Sequence, residues 1–412
     1  MTTARRATYA VFALAGLQFA ALACRIPDLK RVLALSPGQL GITLLAVSAG
    51  SLVGLPVAGA VVRRIGTGRT VGVGALLSTG GLAGVGLAVE VAGSRAATGL
   101  ALAFVGLGVG LWDVAMNLEG AAVEQAMGRS IMPRFHAAFS LGTVVGAGSG
   151  AVVTAVPVGM AWHLGAVAAM DLAIVALAMP HLRHVPGSTR RSPRVAAVSR
   201  RAWREPRTLL VGVVTLVAAF TEGTANDWLA VAVGEGHALA PWAGPLALGV
   251  FLTGMTAGRV AGTAVIDRYG RVAVLRACFA LAFAGSALVA LGGPLGTFAG
   301  ALIWGAGSSL GFPLGMSAAA DDPAMAPARV SVVSTIGYLA FLAGPPMLGA
   351  IADRVGPLHA LLVVGALAGP ALLAVPALRE PRPRRPQRVK HAAPSSICRD
   401  PCAVEVRGPG PK

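Results

Sequence analysis

Long apolar runs alternate with short polar connections along almost the whole chain. A helix that crosses a bilayer needs about 20 mostly apolar residues, and twelve such runs are found, six on each side of a long basic segment. The predicted spans are residues 8–25, 39–62, 70–92, 96–118, 133–155, 158–180, 208–232, 242–265, 272–292, 295–319, 327–350 and 357–377. The pattern therefore predicts an all-α integral membrane protein with twelve transmembrane helices.

The basic residues predict which ends of these helices face the cytoplasm. If the N-terminus is cytoplasmic, 28 of the 34 Lys and Arg residues fall in cytoplasmic segments, five fall in outside loops, and Arg259 lies within a span. Loops that stay in the cytoplasm carry an excess of Lys and Arg. We therefore expect a multi-pass protein of the bacterial cytoplasmic membrane with both termini inside the cell.

Two basic segments divide the chain into units. Residues 182–207 have the Pro, Gly and Arg content of a flexible cytoplasmic linker. This linker separates an N-terminal six-helix bundle at 1–181 from a C-terminal six-helix bundle at 208–378. Residues 379–412, rich in Pro and Arg, are predicted to be a disordered basic cytoplasmic tail.

The two halves repeat one another at an offset of roughly 195–200 residues. The stretch from Gly106 to Gly150 corresponds to that from Gly305 to Gly349, with a Gly-rich span, a charged loop and a second small-residue span in each. Duplicated six-helix halves are typical of one transporter architecture. The repeat predicts two pseudo-symmetric bundles.

The composition adds little to the predicted fold, but it narrows the expected partners. Only 12% of residues are charged, against about 25% in soluble domains, so an ordinary soluble protein is excluded. The net charge of +17 lies in the connections, where anionic lipid headgroups are expected partners and nucleic acid is not. No phosphate-binding loop or hydrolase motif is found, and the Cys398/Cys402 pair has no second Cys/His pair. We expect a monomer with no cofactor, no metal and no enzymatic activity.

Three loops resemble the signature of the major facilitator superfamily, Gly-x3-Asp-Arg-x-Gly-x-Arg. The first has Arg63 where the family usually has Asp; the second and third keep the Asp. Its residues in the three copies are Gly59, Arg63, Arg64, Gly66 and Arg69; Asp267, Arg268, Gly270 and Arg271; Gly349, Asp353, Arg354 and Gly356. Residues 112–117, 132–136, 222–228 and 344–346 resemble the bacterial YbjJ-like branch, which is distantly related to sugar–proton symporters of the fucose permease type.

The resemblance implies a secondary active transporter that moves a small molecule by alternating access. Proton-coupled symport of a sugar-like or other polar solute is the first expectation, and proton-driven efflux of a drug or metabolite is the alternative. From another class, the chain is a non-transporting membrane receptor or scaffold whose basic segments recruit partners.

Carboxylates inside spans are candidate functional residues, because a charge at the bilayer centre costs about 2.5–3.5 kcal/mol on insertion scales. Glu222 and Asp113 are the predicted proton-coupling residues. In the alternative interpretation, Glu222 and Asp227 cap a helix break at Gly223 or pair with an Arg, and Asp113 belongs to a gate. The predicted substrate-binding residues are Trp112, Asn117, His136, Asn226, Asp227 and Trp228.

Charged residues near the predicted cytoplasmic ends of the spans suggest a gate. We expect acidic residues of the fourth span to pair with arginines of the first motif copy. His136 also fits a purely structural hydrogen bond, and Arg259 a structural ion pair. The predicted gating residues are Arg63, Arg64, Arg69, Glu119, Glu124, Arg259, Asp267, Arg268 and Arg271.

Overall fold

The computed structural model describes residues 2–128, 131–156, 158–182, 201–322 and 325–379, and the regular structure in these ranges is helical. Most of the predicted linker, the predicted tail beyond residue 379, and Cys398 and Cys402 lie outside the described residues. The domain boundaries stay predictions.

In the described ranges, six α-helices belong to the first half and eight to the second. The first half contains α1 (Thr2–Cys24), α2 (Ile26–Val32), α3 (Pro37–Glu90), α4 (Arg95–Met127), α5 (Met132–Ala155), α6 (Met160–Ala178) and a 3-10 turn (Met179–His181). The second half contains α7 (Pro206–Thr224), a π-helical turn (Ala225–Leu229), α8 (Ala230–Gly236), α9 (Ala243–Leu291), α10 (Gly293–Ser308), α11 (Gly311–Ala319), α12 (Ala326–Val355), α13 (Pro357–Ala360), α14 (Val363–Ala374) and a 3-10 turn (Val375–Leu378).

Within the described ranges, ten helical stretches are long and apolar enough to cross a membrane. Two of them, α3 and α9, have 54 and 49 residues, which is roughly 80 and 70 Å of helix against a hydrocarbon core of about 30 Å. Each is broken at a glycine whose backbone conformation is accessible essentially only to glycine: Gly66 at φ 82°, ψ 166° and Gly270 at φ 77°, ψ 158°. Each therefore folds back and crosses twice, which agrees with the twelve predicted spans.

Equivalent glycines hold each half together. A Cβ on Gly106 of α4 would overlap the Val47 carbonyl of α3, and one on Gly305 of α10 would overlap the Phe251 carbonyl of α9. Small residues allow this close backbone approach, which is the main packing device between helices in lipid. The two contacts confirm the predicted pseudo-symmetric six-helix bundles.

The turns of the bundle lie at two ends. The basic end contains the turns at Gly66 and Gly270 with their arginines, and the C-terminal end of α11. The opposite end contains the connections at 25–36 and 237–242, and Gly356. Across the interface between the halves, α3 packs against α12 and α5 packs against α9.

Candidate functional site

A cavity of about 700 Å³ lies between the two halves. Its lining comes from α1, α2, α3 and α4 of the first half and from the π turn and α12 of the second. Near the opposite end it is lined by Ile26, Leu44 and Asp227, and toward the basic end by Pro56 and Ser331. A cavity of this size matches the range of small-molecule sites, 300–1,000 Å³.

One wall of the cavity is a row of hydroxyl groups on α12. Ser331, Ser334, Thr335 and Tyr338, called here the hydroxyl face, all line the cavity. Their spacing of three, four and seven residues places them on one side of a helix. Sequence reasoning missed this face, although the helical period of polar residues within an apolar span was visible in the sequence.

Asp227 is the predicted site residue that lines this cavity. It lies in the π-helical turn Ala225–Leu229 of the seventh span, and turns of this kind are frequent at functional sites. No hydrogen bond or ion pair joins its carboxylate to the described part of the chain. The helix break expected at Gly223 is instead a π turn that starts two residues later, and Asp227 does not cap it.

Glu222 and Arg259 form an ion pair between α7 and α9. Nη2 of Arg259 lies 3.3 Å from Oε1 and 3.4 Å from Oε2 of Glu222, and Nε donates to the Ser309 carbonyl at 3.4 Å. The Arg259 charge also acts on His136 of the other half, whose ring packs edge-on against Phe12 at 5.2 Å. The sequence analysis considered an Arg partner for Glu222 and, separately, an ion pair for Arg259. The two residues are partners in the same contact.

Asp113 and Asn117 interact along one face of α4. Nδ2 of Asn117 donates to the Asp113 carbonyl at 2.8 Å and to its Oδ1 at 3.2 Å. Neither Asp113 nor Glu222 is among the residues that line the 700 Å³ cavity.

Three other predicted substrate contacts are buried in helix packing. Trp112 and Trp228 are 2% and 1% exposed, and Asn226 is 5% exposed. Both indole N–H groups and the Asn226 Oδ1 have no partner in the ranges that the structure describes. None of the three lines the cavity, so their predicted contact with substrate has no support from it.

The predicted gating residues fall into separate groups. Glu119 accepts a hydrogen bond from Thr67 at 2.6 Å, and Glu124 accepts from the backbone N–H groups of Ile131 and Met132 at 2.7 Å. Arg271 pairs with Asp321 at 2.7 Å. The remaining side chains of this set are exposed, apart from Arg259: Arg63, Arg64, Arg69, Asp267 and Arg268, the last stacked on Tyr269 at 5.3 Å.

Contacts between the halves are concentrated toward the opposite end. Lys30 pairs with Glu235 at 2.6 Å, and Asp353 Oδ1 accepts from the backbone N–H of Gly38 at 3.1 Å. Deeper along the interface, Ser48 donates to the Phe341 carbonyl at 2.6 Å. Sequence reasoning identified Asp353 as a motif residue but gave no signal for its partner.

A bundle of apolar helices with a cavity between two repeated halves, and with charges held inside the spans, defines a membrane transport protein. The sequence profile of the Major Facilitator Superfamily matches residues 8–345 and 246–404. The chain belongs to this superfamily, as its three loop motifs indicated.

Similar proteins agree with this assignment. An uncharacterized MFS-type transporter of Yersinia pestis is 31% identical over 350 residues, which cover 84% of this chain and 88% of the relative. The crystal structure of the nucleoside transporter NupG has a TM-score of 0.71 at 14% identity and covers 90% of this chain and 98% of NupG. That of a D-xylose–proton symporter has a TM-score of 0.70 at 15% identity, with 91% and 97% covered.

Proposed function

We propose that the chain is a proton-coupled secondary transporter that carries a small organic solute between two conformations of its halves. The observation that carries the proposal is the cavity between the halves, sealed toward one end. Lys30, Gly38 and Ser48 of the first half contact the second half there. In the other direction the lining side chains Leu52, Tyr338 and Leu339 are 58%, 40% and 49% exposed.

The charge distribution supports an inward-open state. The basic end has the Arg-rich turns that the positive-inside rule assigns to the cytoplasm. On this orientation the cavity faces the cytoplasm and the contacts of the opposite end form an outer gate. Both termini of the described chain then lie on the cytoplasmic side of a bacterial membrane.

The Glu222–Arg259 pair supports a role for Glu222 in proton coupling. Protonation of Glu222 removes the charge that holds Arg259 against α7. A proton is thereby linked to a contact between two helices of the second half. Asp113, whose carboxylate accepts a hydrogen bond from Asn117 on the same face of α4, is the second proton-coupling residue of the proposal.

The direction of transport has two candidates. Uptake of a polar, sugar-like solute is supported by the fold shared with a nucleoside transporter and a D-xylose–proton symporter. Export of an amphipathic compound is supported by the cavity itself, most of whose lining residues are apolar. Both candidates share the gate and the coupling residues.

Proteoliposomes test the proposal. Purified protein is reconstituted with an imposed proton gradient, and movement of D-xylose, uridine and ethidium is followed together with internal pH. We expect one of these probes to move against its gradient with wild-type protein, and Glu222→Gln or Asp113→Asn to reduce this accumulation at least tenfold while exchange continues. Glu90→Gln is the matched control: Glu90 ends α3, and its carboxylate accepts hydrogen bonds from the backbone N–H groups of Met160 and Ala161 at the start of α6. Gradient-driven accumulation left intact by both substitutions rejects coupling through these residues.

A further inference from the structure

We infer that the 700 Å³ cavity binds an organic ammonium ion, with Asp227 as its counter-ion and hydroxyl groups of its walls as hydrogen-bond acceptors. The inference rests on the proposed transport function and names the substrate class of the same protein. It assigns Asp227 a part separate from that of Glu222 and Asp113.

The first argument is the isolation of the Asp227 carboxylate. Glu222 has Arg259 as its counter-ion, whereas Asp227 has no hydrogen bond or ion pair with any part of the chain that the structure describes. Among the residues that the structure describes, the cavity lining includes no Lys, Arg or His. A carboxylate inside a span is costly unless a cation or a proton neutralises it, and a cation that pairs with Asp227 has to come from outside this lining.

The second argument is the direction of the hydrogen bonds in the walls. Ser48 donates to the Phe341 carbonyl, Ser51 to the Gly106 carbonyl, Thr335 to the Ser331 carbonyl and Ser334 to the Met316 sulfur. Each hydroxyl has one hydrogen to donate and two lone pairs. These four groups therefore present mainly acceptors to the cavity, and an ammonium, which has donors and no acceptor, is the complementary partner.

The third argument concerns the rest of the ligand. Besides Asp227, the lining consists of uncharged polar residues and a larger apolar set: Phe19, Leu22, Ala23, Ile26, Leu44, Val47, Leu52, Leu55, Pro56, Val105, Val109, Leu339, Phe341, Leu342 and Pro345. Such walls stabilise an apolar body through burial. They disfavour carboxylates and phosphates, because the one fixed charge is negative. The ligand class is a cationic amine with an apolar portion.

A pair of probes with one shape and opposite charges tests the inference. Binding of 1-adamantylammonium and of adamantane-1-carboxylate to detergent-purified protein is measured by calorimetry near pH 7. We expect wild type to bind the ammonium at least tenfold more tightly than the carboxylate. Asp227→Asn should lose most of this preference and Asp227→Glu should keep it.

Asp171→Asn is the matched control. Asp171 is also a buried carboxylate within a span, without a hydrogen-bond partner in the described ranges, and it does not line the cavity. We expect this variant to keep the wild-type preference. A melting curve of each variant shows that it is folded.

Three results overturn the inference: equal or weaker binding of the ammonium by wild type, no binding of either probe, or a preference that survives Asp227→Asn. The wild-type comparison needs no variant, so a misfolded substitution does not leave the question open. The assay also needs no transport. If wild type shows the charge preference but no gradient-driven accumulation of any probe, the proposed transport function alone is contradicted. If wild type accumulates a probe but shows no charge preference, the amine site alone is contradicted.

Discussion

The two ends of the bundle use the same loop motif in different ways. At the opposite end, Asp353 of the third copy caps the start of α3 in the other half through the Gly38 N–H, and Lys30 and Glu235 add an ion pair between the halves. At the basic end, Arg271 of the second copy pairs with Asp321 within its own half. The Asp position of the first copy holds the exposed Arg63.

The glycines of the motif are what the three copies share. Gly66, Gly270 and Gly356 have φ of 82°, 77° and 81° with ψ of 166°, 158° and 154°, a region open essentially to glycine alone. The motif therefore fixes a turn between two spans at each site. Whether the turn also joins the halves depends on the carboxylate before it and on the helix end that faces it.

Loss of a close backbone contact between the halves at the opposite end should have the largest effect on the population of the open state. A Cβ on Gly41 of α3 would overlap the Pro345 carbonyl of α12. Overpacking of this kind costs roughly 1–3 kcal/mol, and only the state with this end closed has the overlap. We expect Gly41→Ala to shift the population toward the state open at this end by about 5- to 150-fold.

A single cysteine at Leu44, which lines the deep part of the cavity, measures this shift. In a background without native cysteines, membrane-impermeant maleimide added from the Lys30 side should label Leu44→Cys faster when Gly41→Ala is present. Gly80→Ala is the control, because a Cβ on Gly80 of the same helix meets nothing within 4 Å. Unchanged labelling would show that the Gly41 contact does not hold this end closed.

The sequence alone predicted more of the fold than of the candidate site. Apolar runs and the Gly66 and Gly270 turns specify twelve crossings because both depend on local composition. The Glu222–Arg259 pair was anticipated only as one alternative, and Asp353 was recognised without its partner. Those contacts depend on which helices lie beside each other, and no periodicity encodes that. The helical period of the hydroxyl face is visible in the sequence, but Ser and Thr carry no charge that distinguishes them within an apolar span.

The polar contacts of the opposite end should have an intermediate effect. Lys30→Met removes the ion pair with Glu235, and Asp353→Ala removes the charged cap on α3. An ion pair at the surface contributes about 0–1 kcal/mol, and a charged helix cap about 1 kcal/mol. We expect each substitution to raise labelling of Leu44→Cys up to about fivefold.

The two effects should be close to additive, since the residues share no partner. Arg31→Met is the matched control: Arg31 lies on the same short helix as Lys30 but pairs with Asp28 of that helix at 2.9 Å. Labelling rates as high in Arg31→Met as in Lys30→Met would assign the effect to α2 itself. The contact between the halves would then have no part in it.

A pair at the basic end should have the smallest effect, and on stability only. Nε and Nη2 of Arg329 donate to the Glu205 carboxylate at 2.7 and 2.9 Å, and these hydrogen bonds lower the pKa of Glu205 to about 2. A carboxyl group whose pKa is lower in the folded than in the unfolded protein stabilises the fold at pH values above its unfolded pKa. This contribution is lost as the pH falls toward the folded pKa. The melting temperature of wild type should therefore exceed that of Glu205→Gln by a few degrees at pH 6.

This difference should shrink as the pH falls from about 4.5 toward about 2. Because Glu205 and Arg329 both belong to the second half, Glu205→Gln should leave labelling of Leu44→Cys unchanged at pH 7. Arg329→Gln and the double variant Glu205→Gln/Arg329→Gln complete a cycle that separates this pair from the contact of Arg329 with Asp322 at 3.6 Å. A change in labelling would mean that the basic end also controls closure of the opposite end, and the contrast between the two ends would then fail.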